Sequence, residues 1–187
     1  SDSTLISGSE MNQAMMDSLG LVNPKITQLY NKGVQAFKSN NNIEAIKNFT
    51  EVVSVDSNNT MAIYNRGLAF KNLKKYDEAV KDFSRVTEIN PNNSTAFYMK
   101  GMTYFENGKY ESAVSSLKST YQIDPTNEKA AYYEGVCYFQ MGKFDEAIVA
   151  FDKAISIKAD YAYAYNDRGS VKLKQNKIEE AIVDYKF

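Results

Sequence analysis

The chain has no histidine and no tryptophan, and only one cysteine and three prolines in 187 residues. The missing histidine removes Ser-His-Asp and Cys-His catalysis, imidazole general bases and the commonest metal ligand together. A lone cysteine, Cys137, excludes an internal disulfide and a thiolate-cluster zinc site. Inside a helical pattern it reads as a small packing residue rather than a nucleophile. An excess of either charge is also lacking, since 22 basic and 23 acidic residues leave a net charge of −1. No long-range field then draws the chain to nucleic acid or anionic lipid. No apolar run approaches the roughly 18 residues a spanning helix needs, so membrane insertion is not expected. The first residues show neither an initiator Met nor a secretory apolar core and look like a cut or processed end.

What the chain does have is a period. Glycine recurs at Gly33, Gly67, Gly101, Gly135 and Gly169, and alanine at Ala45, Ala79, Ala113, Ala147 and Ala181. Each series steps by 34 residues, and a self-similar period of that length marks a repeat array. A glycine within a helix costs roughly 1 kcal/mol against alanine, tolerable only where a side chain would block a close approach. The alanine twelve positions later is the expected partner in that approach, which makes each unit two antiparallel helices crossing at a glycine–alanine contact. With Ile26 as position 1, position 24 holds Phe49, Phe83, Leu117, Phe151 and Tyr185, and position 4 holds Leu29, Ile63, Phe97, Ala131 and Tyr165. Position 11 holds Ala36, Phe70, Tyr104 and Tyr138, then departs to Lys172. Apolar residues at this spacing mark one buried face per helix, shown by Ala79, Val80, Phe83, Val86 and Ile89. Breakers such as Asn90-Pro91-Asn92-Asn93 and Asp124-Pro125-Thr126-Asn127 recur at one phase, and Gly108 and Gly142 mark tight turns.

These positions resemble the tetratricopeptide repeat: a small residue at 8, alanine at 20, an aromatic at 24, proline near 32 and a period of 34. The likeness runs from Ile26 to Phe187, as repeats 26–59, 60–93, 94–127, 128–161 and an incomplete 162–187, with residues 1–25 as a leader outside it. The family's tryptophan at position 4 is absent, and its leucine at position 7 is replaced by Lys32, Arg66, Lys100, Glu134 and Arg168. The fold the resemblance implies is all-α: a right-handed superhelical solenoid of stacked antiparallel helix pairs, the first helix of each pair lining a concave groove.

No constellation carries chemistry. The glycines fill position 8, mark turns or lie in the leader, so none forms a phosphate loop. Asp77-Glu78, Asp145-Glu146 and Glu179-Glu180 share one phase at the start of second helices, where negative charge suits the helix dipole. Asn48-Phe49-Thr50, Asn58-Asn59-Thr60 and Asn92-Asn93-Ser94 match a glycosylation sequon that is short and common. No active site, cofactor or metal is expected, and the chain reads as a non-enzyme.

The surface that remains is for binding, since repeat arrays use extended faces in this way. By the resemblance, positions 2, 5, 6, 9 and 12 line the groove. Position 5 is Tyr30, Tyr64, Tyr98 and Tyr132 in four successive units, and position 12 is Phe37, Phe105 and Phe139 in three. The expected partner-binding residues are Tyr30, Asn31, Tyr64, Asn65, Leu68, Tyr98, Met99, Met102, Tyr132, Tyr133 and Val136. Aromatics supply binding hot spots and Met adapts to apolar ligands. Asn31 and Asn65 are placed to hold a peptide backbone through their amides. Unit five adds Tyr163, Asn166, Asp167, Ser170 and Leu173. The clamp by which such repeats grip acidic chaperone tails is absent: Tyr30, Val34, Asn65, Thr95 and Met99 stand at its positions, and only Asn65 matches.

Three functions follow. The first is a non-catalytic adaptor or scaffold that binds a partner's peptide or helix in an aromatic, Met-rich groove. The second is a scaffold that self-assembles weakly through the leader or the terminal repeat, where Ile178, Ala181, Ile182 and Tyr185 form an apolar face. The third is the docking region of a larger enzyme, since the chain ends inside a second helix. In the leader, Ser7 to Glu10 fits a capping box and Met11, Met15, Met16 and Leu19 keep helical spacing before Pro24. It reads as a capping helix, a disordered tail or a segment that enters another molecule's groove.

Overall fold

A computed structural model describes residues 24–187. The leader's methionine stripe and capping box lie outside them. Among the described residues there are ten helices and no strand. They are α1 Pro24–Lys38, α2 Asn42–Val55, α3 Thr60–Asn72, α4 Tyr76–Ile89 and α5 Ser94–Glu106, then α6 Tyr110–Ile123, α7 Glu128–Gln140, α8 Phe144–Ile157, α9 Ala162–Lys174 and α10 Ile178–Tyr185. The chain divides into two compact units, one ending at Ala96 and the other running from Phe97. Pro24 opens α1 rather than sitting as a separate break, because the first turn of a helix has no use for its missing N–H.

The sequence dictates both ends of these helices. Asn59, Asn93 and Asn127 share one phase, and their side chains accept from the backbone N–H groups of Ala62, Ala96 and Ala130 at 2.9–3.0 Å. Each satisfies one of the donors that a helix start leaves open. The carboxylate pairs fall in the first turns of α4, α8 and α10, as their phase required. Between the helices of each pair the chain turns through one left-handed residue: Asn40, Lys74, Gly108, Gly142 and Asn176 have φ of 58–71°. The next N–H then bonds back across six residues, as from Lys109 to Tyr104 O at 2.9 Å, which closes a Schellman motif. Only two of the five turns advertise themselves by glycine. Asn and Lys accept the same conformation in the others.

The repeated glycines meet first the side chain at position 24, and only at Gly101 does the repeated alanine follow closely, with Ala113 O at 3.4 Å. A Cβ at Gly33 would lie 2.7 Å from Phe49 Cε1, at Gly135 2.7 Å from Phe151 Cδ1, and at Gly101 2.9 Å from Leu117 Cγ. Gly67 and Gly169 meet Phe83 and Tyr185 in the same way. The expected glycine–alanine crossing is thus corrected: the gap admits the side chain at position 24, and Ala at position 20 packs beside it. Phe49, Phe83, Leu117 and Phe151 are all fully buried as a result. Burial of such a side chain is worth about 1.5–3 kcal/mol, which exceeds the roughly 1 kcal/mol that the glycine gives up.

In the first unit Phe49 gathers with Ile26, Tyr30, Val34, Val52 and Ala62 into one core. In the second, Leu117 is packed with Val114, Ala130 and Cys137, and Phe151 with Ala131, Ala154 and Val171. Cys137 is buried and its thiol is pushed up to about 12 by that burial, so it stays protonated and inert.

Candidate protein-binding surface

The position-5 tyrosines start from one geometric fact. They stand three residues before the glycine and share its face of the helix. Three of the four therefore reach the position-24 ring that the glycine lets in: Tyr30 meets Phe49 at 5.7 Å between centroids, Tyr64 meets Phe83 at 5.5 Å and Tyr132 meets Phe151 at 5.8 Å. Such pairs add packing energy of about 0.5–1.5 kcal/mol beyond the area they bury.

In the first unit the expected groove residues are mostly buried. Tyr30, Tyr64, Asn65 and Leu68 are buried, and α3 is buried at Met61–Asn65 and again at Gly67–Ala69. Asn65, expected to grip a peptide backbone, instead donates from Nδ2 to the Tyr30 hydroxyl at 2.8 Å. The Tyr64 hydroxyl has no hydrogen-bond partner among the described residues, and burial raises its pKa to about 12. Asn31 is the residue of this group that is exposed. Asn48, the first of the sequon asparagines, is buried with its amide on Glu44 O at 2.8 Å.

The second unit differs. Met99 is buried, but Tyr98, Met102, Tyr132, Tyr133 and Val136 are half-buried. Here the rings form a continuous run across α5, α6, α7 and α9. Tyr110 meets Phe105 at 6.0 Å, Phe105 meets Tyr133 at 5.4 Å, and Tyr133 meets Tyr132 at 5.1 Å. Tyr132 then meets Tyr161 at 5.3 Å, and Tyr161 meets Tyr163 at 6.1 Å. Tyr163 ends the run with 70% of its surface exposed.

Polar groups fix the run's far end. The Tyr132 hydroxyl donates to Asp167 Oδ2 at 2.7 Å, and Asn166 Nδ2 donates to Asp167 Oδ1 at 3.0 Å. Burial, then the Asp167 carboxylate, raise the Tyr132 phenol well above its ordinary range, so it remains a donor at any physiological pH. Lys158 lies over the Tyr161 ring at 5.6 Å from the centroid. The result is an apolar strip with one carboxylate held in a fixed direction.

Tyr161 was not anticipated from the sequence. It stands at the phase of Asn59, Asn93 and Asn127, where α9 has no side-chain cap. The substitution of an aromatic for a capping asparagine, read against the period, is the signal that locates it. Among the described residues no group of His, Cys, Asp and Glu is placed to hold a metal ion, and no helix is long and apolar enough to cross a membrane.

Comparison with known proteins agrees with the repeat frame. Residues 30–94 match the model for the tetratricopeptide repeat, residues 135–176 match a TPR repeat model, and residues 72–154 match that of anaphase-promoting complex (cyclosome) subunit 3. No curated protein sequence matches the chain. Among solved structures it is similar to MamA, residues 41 to the end, from Desulfovibrio magneticus RS-1. That likeness has a TM-score of 0.81 at 22% identity and covers 88% of this chain and 93% of that one. Another MamA crystal structure gives a TM-score of 0.79 at 23% identity over 82% of this chain and 90% of the other. A double mutant of RS-1 MamA gives 0.82 at 22% over 88% and 92%. At such identities the likeness is one of fold. The 34-residue phase, the paired helices and the repeat-model matches together make this chain a member of the tetratricopeptide repeat family.

Proposed function

We propose that the protein is a non-catalytic interaction scaffold, and that its second unit binds a partner peptide or helix along the tyrosine run from Phe105 to Tyr163. The observation that carries this reading is that run: linked rings that remain partly open and end on a tyrosine 70% exposed. Large, stiff aromatics lose little conformational entropy on binding and are enriched in hot spots. The hydrogen-bonded Asp167 supplies register, as a single oriented polar group does in an apolar site. Met102 and Val136, also half-buried, add adaptable apolar surface to this unit. Asn31 in the first unit is a peripheral contact at most. Peptides selected from a displayed random library against the intact protein should be rich in apolar anchors, and they should lose affinity about tenfold or more when Tyr163 or Tyr132 becomes Ala. Selected peptides indifferent to both changes would refute this site.

A second reading, weak self-association, is favoured by α10. Ile178, Ile182, Val183 and Tyr185 on it, and Phe187 just beyond, are all exposed, with Val183 at 69%. Contiguous apolar patches of this kind mark interaction sites. Sedimentation over a wide concentration range should show reversible association that Ile182→Ser with Val183→Ser abolishes. A strictly monomeric species at high concentration would end that reading.

A further inference from the structure

The family's leucine at position 7 is replaced here by charge, and the structure shows what the charge does. In repeat two, Arg66 forks onto Asp82, Nε to Oδ2 at 2.8 Å and Nη2 to Oδ1 at 2.7 Å, and its Nη1 reaches Thr50. Repeat five builds the same arrangement: Arg168 forks onto Asp184, and its Nη1 meets Asp152. In both, position 7 carries a guanidinium, position 23 an aspartate, and position 25 of the preceding repeat an acceptor. The paired fork fills the space between the helices.

Repeat four changes all three positions. Glu134 replaces the arginine, Ala150 replaces the aspartate, and Lys118 replaces the acceptor. The truncation at Ala150 leaves a cavity of about 340 Å³, walled by Tyr138, Val149 and Ala150 and edged by Asp145 and Glu146. Glu134 lines it and is 6% exposed. Its Oε1 has Lys118 Nζ at 3.8 Å, but Oε2 is buried with no hydrogen-bond partner among the described residues. A buried carboxylate oxygen left unpaired is costly, on the order of 1–3 kcal/mol or more. Lys153, the other cation at the cavity, acts on Glu134 through its charge but rests its Nζ 3.4 Å from the centroid of the Tyr121 ring. Three carboxylates against two ammonium groups leave the lining net negative.

We propose that this cavity receives the guanidinium of an arginine side chain from a partner polypeptide, which donates to Glu134 Oε2 and lays its aliphatic stem along Val149 and Tyr138. The group that would fit is the one the same three-position frame already holds, with signs exchanged, in repeats two and five. Guanidinium suits it better than ammonium because it is planar, weakly hydrated and donates in a fork. The cavity shares no residue with the tyrosine run, so the inference stands or falls independently of it.

The test is a titration of the intact, isotopically labelled protein, read at the Ala150 and Val149 methyl groups. N-acetyl-arginine methylamide should give saturable shifts there with a Kd of about 1 mM. The lysine counterpart should bind several-fold more weakly, and the uncharged norleucine counterpart should not saturate. Glu134→Gln, which keeps shape and removes charge, should weaken the arginine probe about tenfold. Glu134→Arg together with Ala150→Asp should rebuild the closed fork of the other repeats and abolish binding. Ala150→Leu, which fills the cavity from its other wall, should do the same. No saturable response to the arginine probe, equal responses to arginine and norleucine, or undiminished binding in Glu134→Gln would each overturn the proposal. Binding of free arginine but not of the blocked form would replace the side chain by a small molecule.

Discussion

The two units carry one hydrogen bond in two settings. Tyr30 and Tyr132 stand three periods apart, and each hydroxyl meets the residue 35 positions onward, Asn65 in one case and Asp167 in the other. In the first unit both members are buried, and the partner is a neutral amide that donates to the hydroxyl. In the second the tyrosine is half-buried, the partner is a carboxylate, and Tyr133, Tyr161 and Tyr163 gather around it. The same backbone position therefore serves as core in one unit and as surface in the other. What decides between them is the neighbourhood: a neutral polar pair can be enclosed, whereas a charged one keeps a side toward water.

This contrast can be broken at several points, and the largest effect belongs to the enclosed member. Tyr30→Ala should cost about 3–5 kcal/mol of folding stability in urea unfolding, because it empties a core position beside Phe49. Tyr132→Ala should cost roughly 1–2 kcal/mol, since part of that ring is already wet. Equal losses would show that the two tyrosines are not distinguished by burial.

Next comes an exchange of the partners. Asn65→Asp should cost about 2–4 kcal/mol at neutral pH, because it places a carboxylate at a fully buried position. Burial raises the folded pKa of such a group above its unfolded value near 3.9, so the loss is full above the folded pKa and fades as pH falls toward about 4. The reverse change, Asp167→Asn, should cost under about 1 kcal/mol and show little pH dependence near neutrality. A mild Asn65→Asp variant would remove the distinction between the sites.

A smaller effect tests the packing rule that both units share. Gly101→Leu drives a side chain into Leu117 and should cost about 1–3 kcal/mol by overpacking. An unchanged melting temperature would contradict the close approach.

Much of the fold was legible because the period is a global signal. The five glycines fix the number of helix pairs, and Gly108 and Gly142 fix two turns. Their phase then finds the three turns made by Asn40, Lys74 and Asn176. What the period does not encode is which residue fills a gap. The glycine's nearest side chain lies sixteen residues onward, at Phe49 or Leu117 or Phe151, rather than twelve, because a large side chain projects farther than a methyl group. The site was half legible for the same reason. Phase put Tyr30 and Tyr132 on one stripe, and their different burial depends on side chains from other helices that no local pattern reveals. Departures from the period were the better guide. Tyr161 in place of a capping asparagine, and Glu134 in place of a basic residue, mark the two places where a repeat does something its neighbours do not.

The central claim is that the open tyrosine run, and not the enclosed one, meets a partner. Tyr163 tests it most directly, because it is 70% exposed and separates binding from folding. Stability and affinity should be measured on the same Tyr163→Ala protein, with a peptide selected against the parent chain. The account predicts unfolding within about 0.5 kcal/mol of the parent and a Kd raised about tenfold or more. Unchanged affinity at unchanged stability would contradict it.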